Sequence, residues 1–486
     1  MSRRLVVGVD SSTQSTKVEA RDLDTGMLVA TGSSAHPPCS PPTSEQDPRA
    51  WWSALVEAMD QLGDHRSDVV GLSVAGQQHG LVLLGADGEP LRPAKLWNDT
   101  TSAPQSARLV EAIGANEWAA LTGSVPVAAF TITKLAWVAE HEPETLSKAA
   151  TVLLPHEYLN RRLTGASATD RGDASGTGWF DPSSGETHVR LLELAAGPGD
   201  WLARLPTVVG PTTAIGTLVP DAAAALGLSP AVLVGPGTGD NMAAALGLGM
   251  QPGDVAISLG TSGTAFAVST TATHDPSGLV AGFADADGGF LPLVCTLNAT
   301  KVTDTVARWV GRDASTFADM ALGAASDPGS VWFVPYFDGE RTPNLPDASG
   351  AIHGLTNGTT AAQIALAAHD GVLVGLIRGI GHLSAAGATV HGRRYLVGGG
   401  ARSVAYRQRA ADLLDQAVII ADTDEAVRTG AAAQAGSVMT GEPLADVTSR
   451  WGLGAGLTVD PRHDASAVLD RYQGAAVTAD IRPSDG

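Results

Sequence analysis

A glycine-rich turn that leads into a helix carries the first candidate for chemistry in this chain. Residues 231–249 read AVLVGPGTGDNMAAALGLG, where an apolar run predicts a short buried strand and an Ala/Leu-rich run predicts a helix. The glycines between them free the backbone and let another molecule come close. They deliver Asp240 and Asn241 to the start of the helix. Asp240 is therefore either a helix cap, for which Asp is a preferred residue, or a carboxylate presented to a ligand.

The N-terminal segment predicts a hairpin with a polar tip. A strand over residues 5–9 precedes a polar turn over 10–16, which begins with Asp10 and contains Thr13, and a second strand begins at Lys17. A solvated turn is the simplest interpretation. Hydroxyls and backbone N–H groups at a strand tip also suit phosphate oxygens, and a carboxylate suits Mg²⁺ held through water.

Two further polar clusters follow predicted strands in the first half. The sequence GQQHG at 76–80 holds Gln78 and His79 between glycines, which predicts either a plain turn or a bend that faces a ligand. The sequence KLWNDT at 95–100 places a tryptophan beside amide and acid groups. That combination suits a sugar, which has apolar C–H faces and hydroxyls that need polar partners.

The second half repeats the layout of the first hairpin. Residues 255–269, VAISLGTSGTAFAVS, match residues 6–20, VVGVDSSTQSTKVEA, as strand, hydroxyl-rich turn and strand, which indicates an internal duplication. The second turn contains Gly260 and Thr261. Two domains of this build, each offering such a hairpin to one cleft, would hold the phosphates of a nucleotide from both sides.

A second glycine cluster lies between a predicted strand and a predicted helix. It consists of Gly398, Gly399 and Gly400, followed by Ala401. These residues allow a flat base or a ribose to approach the backbone, and the helix start favours a phosphate. The spacing is not GxGxxG, so the dinucleotide-binding fingerprint is not present.

Length and composition set the framework for these motifs. A chain of 486 residues is too long for one core, so two large domains are expected, with a small-ligand site in the cleft between them. The 51 acidic and 31 basic residues argue against nucleic acid or an anionic membrane as a partner. The two cysteines fit no disulfide framework or zinc site, and the apolar helix expected at 359–384 contains charged residues, so a cytoplasmic protein is expected. Asp170 and Asp173 are expected to be solvated or to cap helices.

The motifs together resemble the FGGY carbohydrate kinase family, and within it the xylulokinase branch. The resemblance covers nearly the whole chain and is carried, in order, by GVDSSTQSTK, SEQDPRAWW, GQQHG, KLWNDT, GPGTGDNMAAALG, SLGTSG, WFVPYFDGERTP, GAIHGL and VGGGARS. It implies an α/β fold of two ribonuclease H-like (actin-like ATPase) domains with a catalytic cleft between them. The N-terminal sugar-binding domain would cover 1–247 and the C-terminal nucleotide-binding domain 248–486.

The resemblance also implies a reaction and a set of roles. The reaction is the phosphorylation of D-xylulose to D-xylulose 5-phosphate by ATP with Mg²⁺, and Asp240 would be the general base that takes the sugar hydroxyl proton. Gln78, His79 and Asn241 would contact the sugar, and Asp10 would act on the metal-bound phosphates. The residues implied for ATP binding are Asp10, Thr13, Lys17, Gly260, Thr261, Gly398, Gly399, Gly400 and Ala401.

Two positions depart from the xylulokinase pattern. Ser12 stands where a glycine usually precedes the first-turn threonine, and Gln78 stands where methionine is usual. The second departure bears on the sugar, because an amide adds a donor and an acceptor that must find partners. The alternatives are an FGGY kinase of another substrate, such as L-ribulose, glycerol or gluconate, and a non-kinase relative such as an ATPase chaperone or a sugar sensor. The sequence leaves a homodimer open.

Overall fold

The computed structural model describes residues 3–324, 327–423 and 425–475. The final residues of the expected second domain, 476–486, lie outside this range. The strands are β1 (Leu5–Ser11), β2 (Ser15–Asp22), β3 (Leu28–Ala35), β4 (Glu45–Gln46), β5 (Val69–Gly76), β6 (Val82–Leu84), β7 (Ala94–Lys95), β8 (Thr151–Leu153), β9 (Ala168–Thr169), β10 (Thr207–Val208), β11 (Gly216–Thr217), β12 (Leu233–Val234), β13 (Thr238–Gly239), β14 (Val255–Leu259), β15 (Gly263–Ala267), β16 (Ala281–Ala284), β17 (Phe290–Thr296), β18 (Trp332–Val334), β19 (Ala351–His353), β20 (Arg394–Val397), β21 (Val418–Ala421) and β22 (Gly456–Val459).

Helices connect and cover these strands. They are α1 (Pro48–Asp60), α2 (Ala103–Ile113), α3 (Ala115–Thr122), α4 (Thr131–His141), α5 (Pro143–Lys148), α6 (Pro155–Thr164), α7 (Arg171–Ala174), α8 (Val189–Ala196), α9 (Pro220–Leu226), α10 (Asp240–Gly247), α11 (Thr300–Trp309), α12 (Ala314–Gly323), α13 (Ala361–Ala385), α14 (Val404–Leu414), α15 (Ala426–Thr440), α16 (Leu444–Arg450) and α17 (Ala467–Ala475). Short 3₁₀ turns occupy Gly63–Asp68, Leu202–Arg204 and Gly399–Arg402.

The described residues form two compact units that are not simply the two halves of the chain. The first contains residues 3–250, 274–291 and 425–454, and the second contains 251–273, 292–423 and 455–475. The change of unit at 250–251 lies close to the expected boundary at 247–248. The segment 425–454 returns to the first unit because α15 packs directly on β1 and α10.

Glycines make that close packing possible. A Cβ on Gly8 of β1 would lie 1.9 Å from the carbonyl oxygen of Arg428, and a Cβ on Gly430 would lie 1.8 Å from the carbonyl oxygen of Ala243. A side chain at either position would therefore collide with backbone. This packing holds the strand that carries Asp10 and the helix that begins at Asp240 against the same helix, α15.

Each unit is built on a mixed sheet, and the two sheets share one topology. The first runs β3–β2–β1–β5–β12–β11, and the pairings along it are antiparallel, antiparallel, parallel, parallel and antiparallel. In the second unit the order β17–β15–β14–β20–β21–β22 has the same sequence of pairings. The two units therefore repeat one supersecondary plan, as the matching hairpin sequences predict.

The hairpins and part of the core form as predicted, with local differences. Both predicted hairpins form, and the first has longer strands than expected, so its turn is shorter. Trp51 and Leu55 of α1 belong to the same buried cluster as Leu5, Val7 and Val9 of β1, as the helical spacing predicts. The expected strand over 231–234 shortens to the two residues of β12.

Helix α13 is long and apolar enough to cross a membrane by length and composition alone. In the window that meets this test, 72% of the helix is buried within the protein. His369 and Asp370 lie in its buried stretch, and Asp370 accepts two hydrogen bonds from Arg409. It is therefore packed as a core helix of the second unit.

Candidate active site

Asp240 is the first residue of α10 and carries its own hydrogen-bonded shell. Gly239 occupies the N-cap position, so Asp240 is not the cap of the helix. Its Oδ1 accepts a hydrogen bond from the backbone N–H of Asn241 at 2.8 Å and another from the Asn241 side-chain Nδ2 at 3.0 Å. The residue is partly exposed. Both bonds fall on one carboxylate oxygen, a geometry that fixes the group without enclosing it.

The surroundings of Asp240 make its carboxylate a stronger base than an ordinary one. Burial, followed by the negative charge of Asp173, raises the pKa of Asp240 to about 7, against the smaller lowering effect of the Asn241 hydrogen bonds. A carboxylate whose pKa lies near neutrality suits proton abstraction at neutral pH, because its basicity is high while a large fraction is still ionised.

Asn241 links Asp240 to one of the other predicted sugar contacts. The Asn241 Nδ2 also donates to Gln78 Oε1 at 2.8 Å. Gln78 is only 4% exposed, and its Nε2 has no hydrogen-bond partner among the described residues. An unpaired buried amide donor is costly unless a ligand supplies the acceptor. The structure therefore brings three predicted residues together and leaves a hydrogen-bond donor for an oxygen-rich molecule.

His79 occupies a strained bend beside these residues. Its φ is 66°, one of two positive values for a residue other than glycine in the described part of the chain. Its Nδ1 donates to the Gly176 carbonyl oxygen at 2.8 Å, because a carbonyl can only accept. The ring stacks on Phe130 with centroids 5.0 Å apart and lies 5.4 Å from Phe283. Phe283 is a contribution that the sequence analysis missed, since it lies 204 positions away in the chain.

Asp10 lies inside strand β1 and not in the turn where the sequence analysis placed it. Strand β1 continues through Ser11, with Asp10 opposite Lys17 on one side and beside Ala75 on the other. Thr238 pairs with the same Ala75 from the far side of β5. The central strand therefore brings the Asp10 carboxylate and the turn that ends at Asp240 to the same end of the sheet.

The Asp10 carboxyl is buried and incompletely paired. It is 6% exposed, and its Oδ1 has no hydrogen-bond partner among the described residues. Burial, followed by the charge of Asp240, raises the pKa of Asp10 to about 7, and the charge of Lys17 acts in the opposite direction. A cation placed at this oxygen would offset the cost of ionising the group.

The first turn, residues 12–14, is braced by the protein. The Thr13 hydroxyl donates to Gln77 Oε1 at 3.0 Å and accepts from the Trp97 indole N–H at 2.9 Å. Ser12 closes the turn with its backbone N–H on the Ser15 carbonyl at 3.0 Å and has no positive φ, so the glycine usual at this position is not needed for the backbone. Lys17 Nζ lies 2.8 Å from Glu425 Oε1.

The second unit contains a cavity of about 630 Å³ at the predicted nucleotide residues. Gly260, Thr261, Gly399 and Gly400 line it, while Gly398 and Ala401 flank the last two in sequence. The remaining lining residues were not predicted as nucleotide contacts: Leu259, Thr300, Thr303, Asp304, Ala314, Ser315, Phe317, Ala318, His369, Arg402, Ser403, Val404 and Tyr406. The wall thus mixes aromatic, hydroxyl and charged side chains, as a site for a base and a ribose requires.

Backbone geometry explains why glycines stand in this wall. Gly398 has a φ of 83°, and a Cβ there would lie 2.8 Å from the Leu259 carbonyl oxygen. The second turn is closed by Thr300, which donates to the Gly260 carbonyl from its backbone N–H at 3.0 Å and from its hydroxyl at 2.8 Å. The turn therefore meets the start of α11 at the cavity.

The residues present fit a hydrated divalent cation better than a fully protein-bound one. Among the described residues there is no group of three or more His, Cys, Asp or Glu side chains that could hold a metal ion. Mg²⁺ commonly uses one or two carboxylates together with phosphate oxygens and water. The unpaired, buried Oδ1 of Asp10 matches that donor set.

Neither Asp170 nor Asp173 is solvated, so the expectation from the sequence holds for Asp170 as a helix cap and is corrected for Asp173. Asp170 is 2% exposed and caps α7 by accepting from the backbone N–H groups of Gly172 and Asp173. Asp173 is fully buried and lies 2.6 Å from His156 Nδ1 through its Oδ2. The capping part of the expectation is confirmed for Asp170. The His156 contact was missed because no local pattern indicates a partner 17 residues away.

Fold and site together define a class of protein before any closer relation is considered. Two α/β units that repeat one sheet topology, with polar residues at the strand ends, are typical of the actin-like ATPase fold. Family models then match residues 5–247 as the N-terminal domain and residues 255–439 as the C-terminal domain of the FGGY family of carbohydrate kinases, and the chain belongs to that family.

Individual relatives agree with this assignment. The chain is 48% identical to a protein named xylulose kinase from Streptomyces coelicolor, over 99% of this chain and 97% of that protein. It is similar to the crystal structure of xylulose kinase from Bifidobacterium adolescentis, with 39% identity, a TM-score of 0.86, and coverage of 98% and 99% of the two chains. A gluconate kinase structure from Lactobacillus acidophilus, at 22% identity, matches 99% of each chain with a TM-score of 0.90. That likeness shows the fold alone.

Proposed function

We propose that this carbohydrate kinase transfers the γ-phosphoryl group of ATP to D-xylulose and produces D-xylulose 5-phosphate. The choice of sugar is supported by the relative named xylulose kinase that shares 48% identity over nearly the full length. The observation that carries the mechanism is the partly exposed Asp240 carboxylate, held by Asn241, with a pKa of about 7.

Asp240 is the general base in this proposal. It takes the proton from the terminal hydroxyl of the open-chain ketose as that oxygen bonds to the γ-phosphorus. Phosphoryl transfer depends on positioning and charge stabilisation more than on covalent help. Asn241 orients the base through two hydrogen bonds, and the amide donor of Gln78 and the ring of His79 hold the sugar.

The nucleotide occupies the cavity of the second unit in this proposal. Its adenosine lies near Gly398–Ala401, and Gly260 and Thr261 contact the phosphates, with Thr13 and Lys17 of the first hairpin as further phosphate contacts. Mg²⁺, when bound, supplies positive charge that stabilises the transferring phosphoryl group. Asp10 would hold it through the unpaired Oδ1. The first unit has the sugar-binding role and the second the nucleotide-binding role.

The structure carries one observation that favours a second candidate. The buried Nε2 of Gln78 lacks a partner, so a substrate with an oxygen at that position gains a hydrogen bond that a thioether in place of the amide would not donate. An FGGY kinase of another polyol or sugar, such as L-ribulose, glycerol or gluconate, would use the same base. We propose a cytoplasmic location for either enzyme, and no nucleic-acid or membrane partner.

A substrate panel decides between the two candidates. ADP release from ATP is measured with D-xylulose, L-ribulose, glycerol and gluconate, with and without Mg²⁺. We expect D-xylulose to give the highest kcat/KM and Mg²⁺ removal to abolish turnover. Higher kcat/KM with another member of the panel selects the second candidate, and sugar-independent ADP release would contradict both.

The role of Asp240 has its own test. Asp240→Asn should lower kcat about 100- to 10,000-fold without unfolding the protein, as expected for loss of a general base. The wild-type kcat should rise with pH through about 7, because the base acts only when ionised. Asp221→Asn is the matched control, since Asp221 is an exposed acid in the first turn of α9. Near-normal turnover of Asp240→Asn would reject the base.

A further inference from the structure

The turn that presents Asp240 is held from three different elements. Asn160 of α6 donates from Nδ2 to the Pro236 carbonyl at 2.7 Å, and Gln434 of α15 donates from Nε2 to the Gly237 carbonyl at 3.2 Å. Both contacts hold backbone atoms early in the turn. The third contact is the nearest to the base: it joins Thr238, two residues before Asp240, to Asp170 at the start of α7.

The Thr238 hydroxyl makes a buried hydrogen bond to a carboxylate. Its Oγ1 lies 2.6 Å from Asp170 Oδ2, and the two residues are 1% and 2% exposed. The same Oδ2 accepts from the backbone N–H of Gly172 at 2.8 Å, and Oδ1 accepts from the backbone N–H of Asp173 at 3.0 Å. Hydrogen bonds to a charged acceptor are shorter and stronger than neutral ones, and burial keeps water from competing.

We propose that Asp170 is a positioning residue for the reaction, which fixes the backbone before Asp240 by accepting a hydrogen bond from Thr238. This inference rests on the proposed role of Asp240 as the base. Asp170 touches neither substrate nor Asp240 in this assignment. It acts through Thr238, and it also caps α7, the helix that carries Asp173.

Packing around Thr238 makes this bond hard to replace. A Cβ on Gly172 would lie 2.6 Å from Asp170 Oδ2 and 2.8 Å from Thr238 Oγ1, so α7 reaches the turn at backbone distance. Strand β13 has only two residues, Thr238 and Gly239, and pairs with the end of β5. A two-residue strand supplies few backbone hydrogen bonds, so a side-chain bond contributes a large share of the local restraint.

The geometry predicts a defect in kcat rather than in sugar binding. Proton abstraction requires the base and the hydroxyl within about 3 Å of each other, and a displacement of about 1 Å costs up to about 100-fold in rate. The groups assigned to hold the sugar, Gln78 and His79, lie on the segment after β5, and the Thr238 hydroxyl donates to Asp170 and not to either of them.

Two substitutions of Thr238, one of Asp170 and a double variant test the proposal. Thr238→Val removes the hydroxyl and keeps shape and strand preference, and it should lower kcat by about 10- to 100-fold with KM for the sugar within about threefold of wild type. Thr238→Ser keeps the hydroxyl and should restore kcat to within about threefold. Asp170→Asn should also lower kcat, because a neutral amide oxygen is a weaker acceptor for the Thr238 hydroxyl than a carboxylate oxygen, and the NH₂ group would face the Asp173 N–H. The Thr238→Val/Asp170→Asn double variant should be no slower than the slower single variant, since both substitutions act on the same hydrogen bond.

A control separates positioning from general stability. Thr122 is a buried threonine of the first unit whose hydroxyl donates to the Trp118 and Ser124 carbonyls, both at 3.1 Å. Thr122→Val should lower the melting temperature and leave kcat within about twofold. A folded Thr238→Val protein with wild-type kcat, or with a raised KM alone, would overturn the proposal.

A further variant tests the proposal if Thr238→Val does not fold. If Thr238→Val is not recovered folded, Thr238→Cys takes its place, because a thiol is a weaker donor of similar size. Its kcat should fall between those of the serine variant and Asp170→Asn, and a wild-type kcat would overturn the proposal. Turnover retained in Asp240→Asn would instead reject the base itself. An inactive Asp240→Asn together with unslowed Thr238 variants rejects only the positioning role.

Discussion

The two hairpins share a topology and differ in what their turns leave available. In the first, β1–β2, the Thr13 hydroxyl is bonded to Gln77 and Trp97, while Asp10 is buried with an unpaired oxygen. In the second, β14–β15, the strands carry no titratable residue, and Thr261 and Ser262 are exposed at the turn. The first hairpin thus presents a carboxylate on the strand that leads into a braced turn, and the second presents an open turn beside a cavity.

In the proposed function, this difference separates two tasks that a phosphoryl-transfer enzyme must perform. Charge control requires a rigid group in a dry environment, because electrostatic effects weaken when water screens them. Nucleotide binding requires accessible N–H and hydroxyl groups and space for a base. The duplication therefore supplies one framework twice, and the substituted residues at the strand ends assign the tasks.

The largest effect is expected when the buried carboxylate of the first hairpin, Asp10, is replaced. Asp10→Asn should lower kcat about 100-fold or more, by analogy with the loss of one preorganised electrostatic group. Its melting temperature at pH 8 should equal or exceed that of wild type. Because the pKa of Asp10 is raised from 3.8 to about 7, the folded protein loses stability as the pH rises from about 4 to about 7 and carries the full cost at pH 8, which a neutral amide removes.

The second hairpin provides the matched control for Asp10. Ser258→Ala changes a partly exposed strand residue of β14 and should leave kcat within about twofold. Comparable losses of kcat in the two variants, or a large loss of stability in Asp10→Asn, would show that the two hairpins do not have these different tasks.

The next expected effect is steric and belongs to the second unit. A Cβ on Gly400 would lie 2.7 Å from Leu259 Cβ and 2.8 Å from Thr300 Cγ2, and all three residues line the cavity. Gly400→Ala should therefore displace the end of β14, destabilise the protein by about 1–3 kcal/mol and raise KM for ATP about 10-fold. Chemical denaturation and ATP saturation curves measure the two effects.

A glycine of the same unit with free space around it serves as the control for Gly400→Ala. A Cβ on Gly381 of α13 would meet nothing within 4 Å. Gly381→Ala should keep KM for ATP and stabilise the protein slightly, because alanine is the better helix residue. If Gly400→Ala binds ATP as well as wild type does, the cavity is not the nucleotide site.

Local sequence pattern predicted the elements that differ between the two units, namely the two hairpins and the helix that begins at Asp240. Apolar runs next to a polar turn predicted both hairpins, and glycines before an Ala/Leu-rich run predicted the helix that begins at Asp240. The position of Asp10 within β1 was predicted wrongly, since pairing with β2 and β5 extends the strand through residues that look like turn. Tertiary pairing overrode a weak local preference.

Contacts between distant segments could not be predicted from pattern. The ion pair of Lys17 with Glu425 joins residues 408 positions apart, and Asp173 is buried by His156 rather than solvated. A lone acid next to a short helix has the same sequence signature whether it faces water or a buried histidine. Residue pattern indicated the candidate clusters, and the family resemblance supplied the roles proposed for their sugar and nucleotide residues.

The smallest expected effect sharpens the contrast between a braced turn and an open one. Trp97 is 42% exposed, and its indole N–H donates to Thr13 Oγ1. Trp97→Phe removes that donor and keeps an aromatic ring. Because a single partly exposed hydrogen bond contributes about 0.5 kcal/mol, KM for ATP should rise no more than about threefold. If the ring instead held the sugar through its indole N–H, KM for the sugar would rise and KM for ATP would not.

Trp309→Phe, in the second unit and 61% exposed, controls for loss of an indole as such. Equal KM values for ATP in the two variants would mean that the Trp97 bond does not brace the first turn.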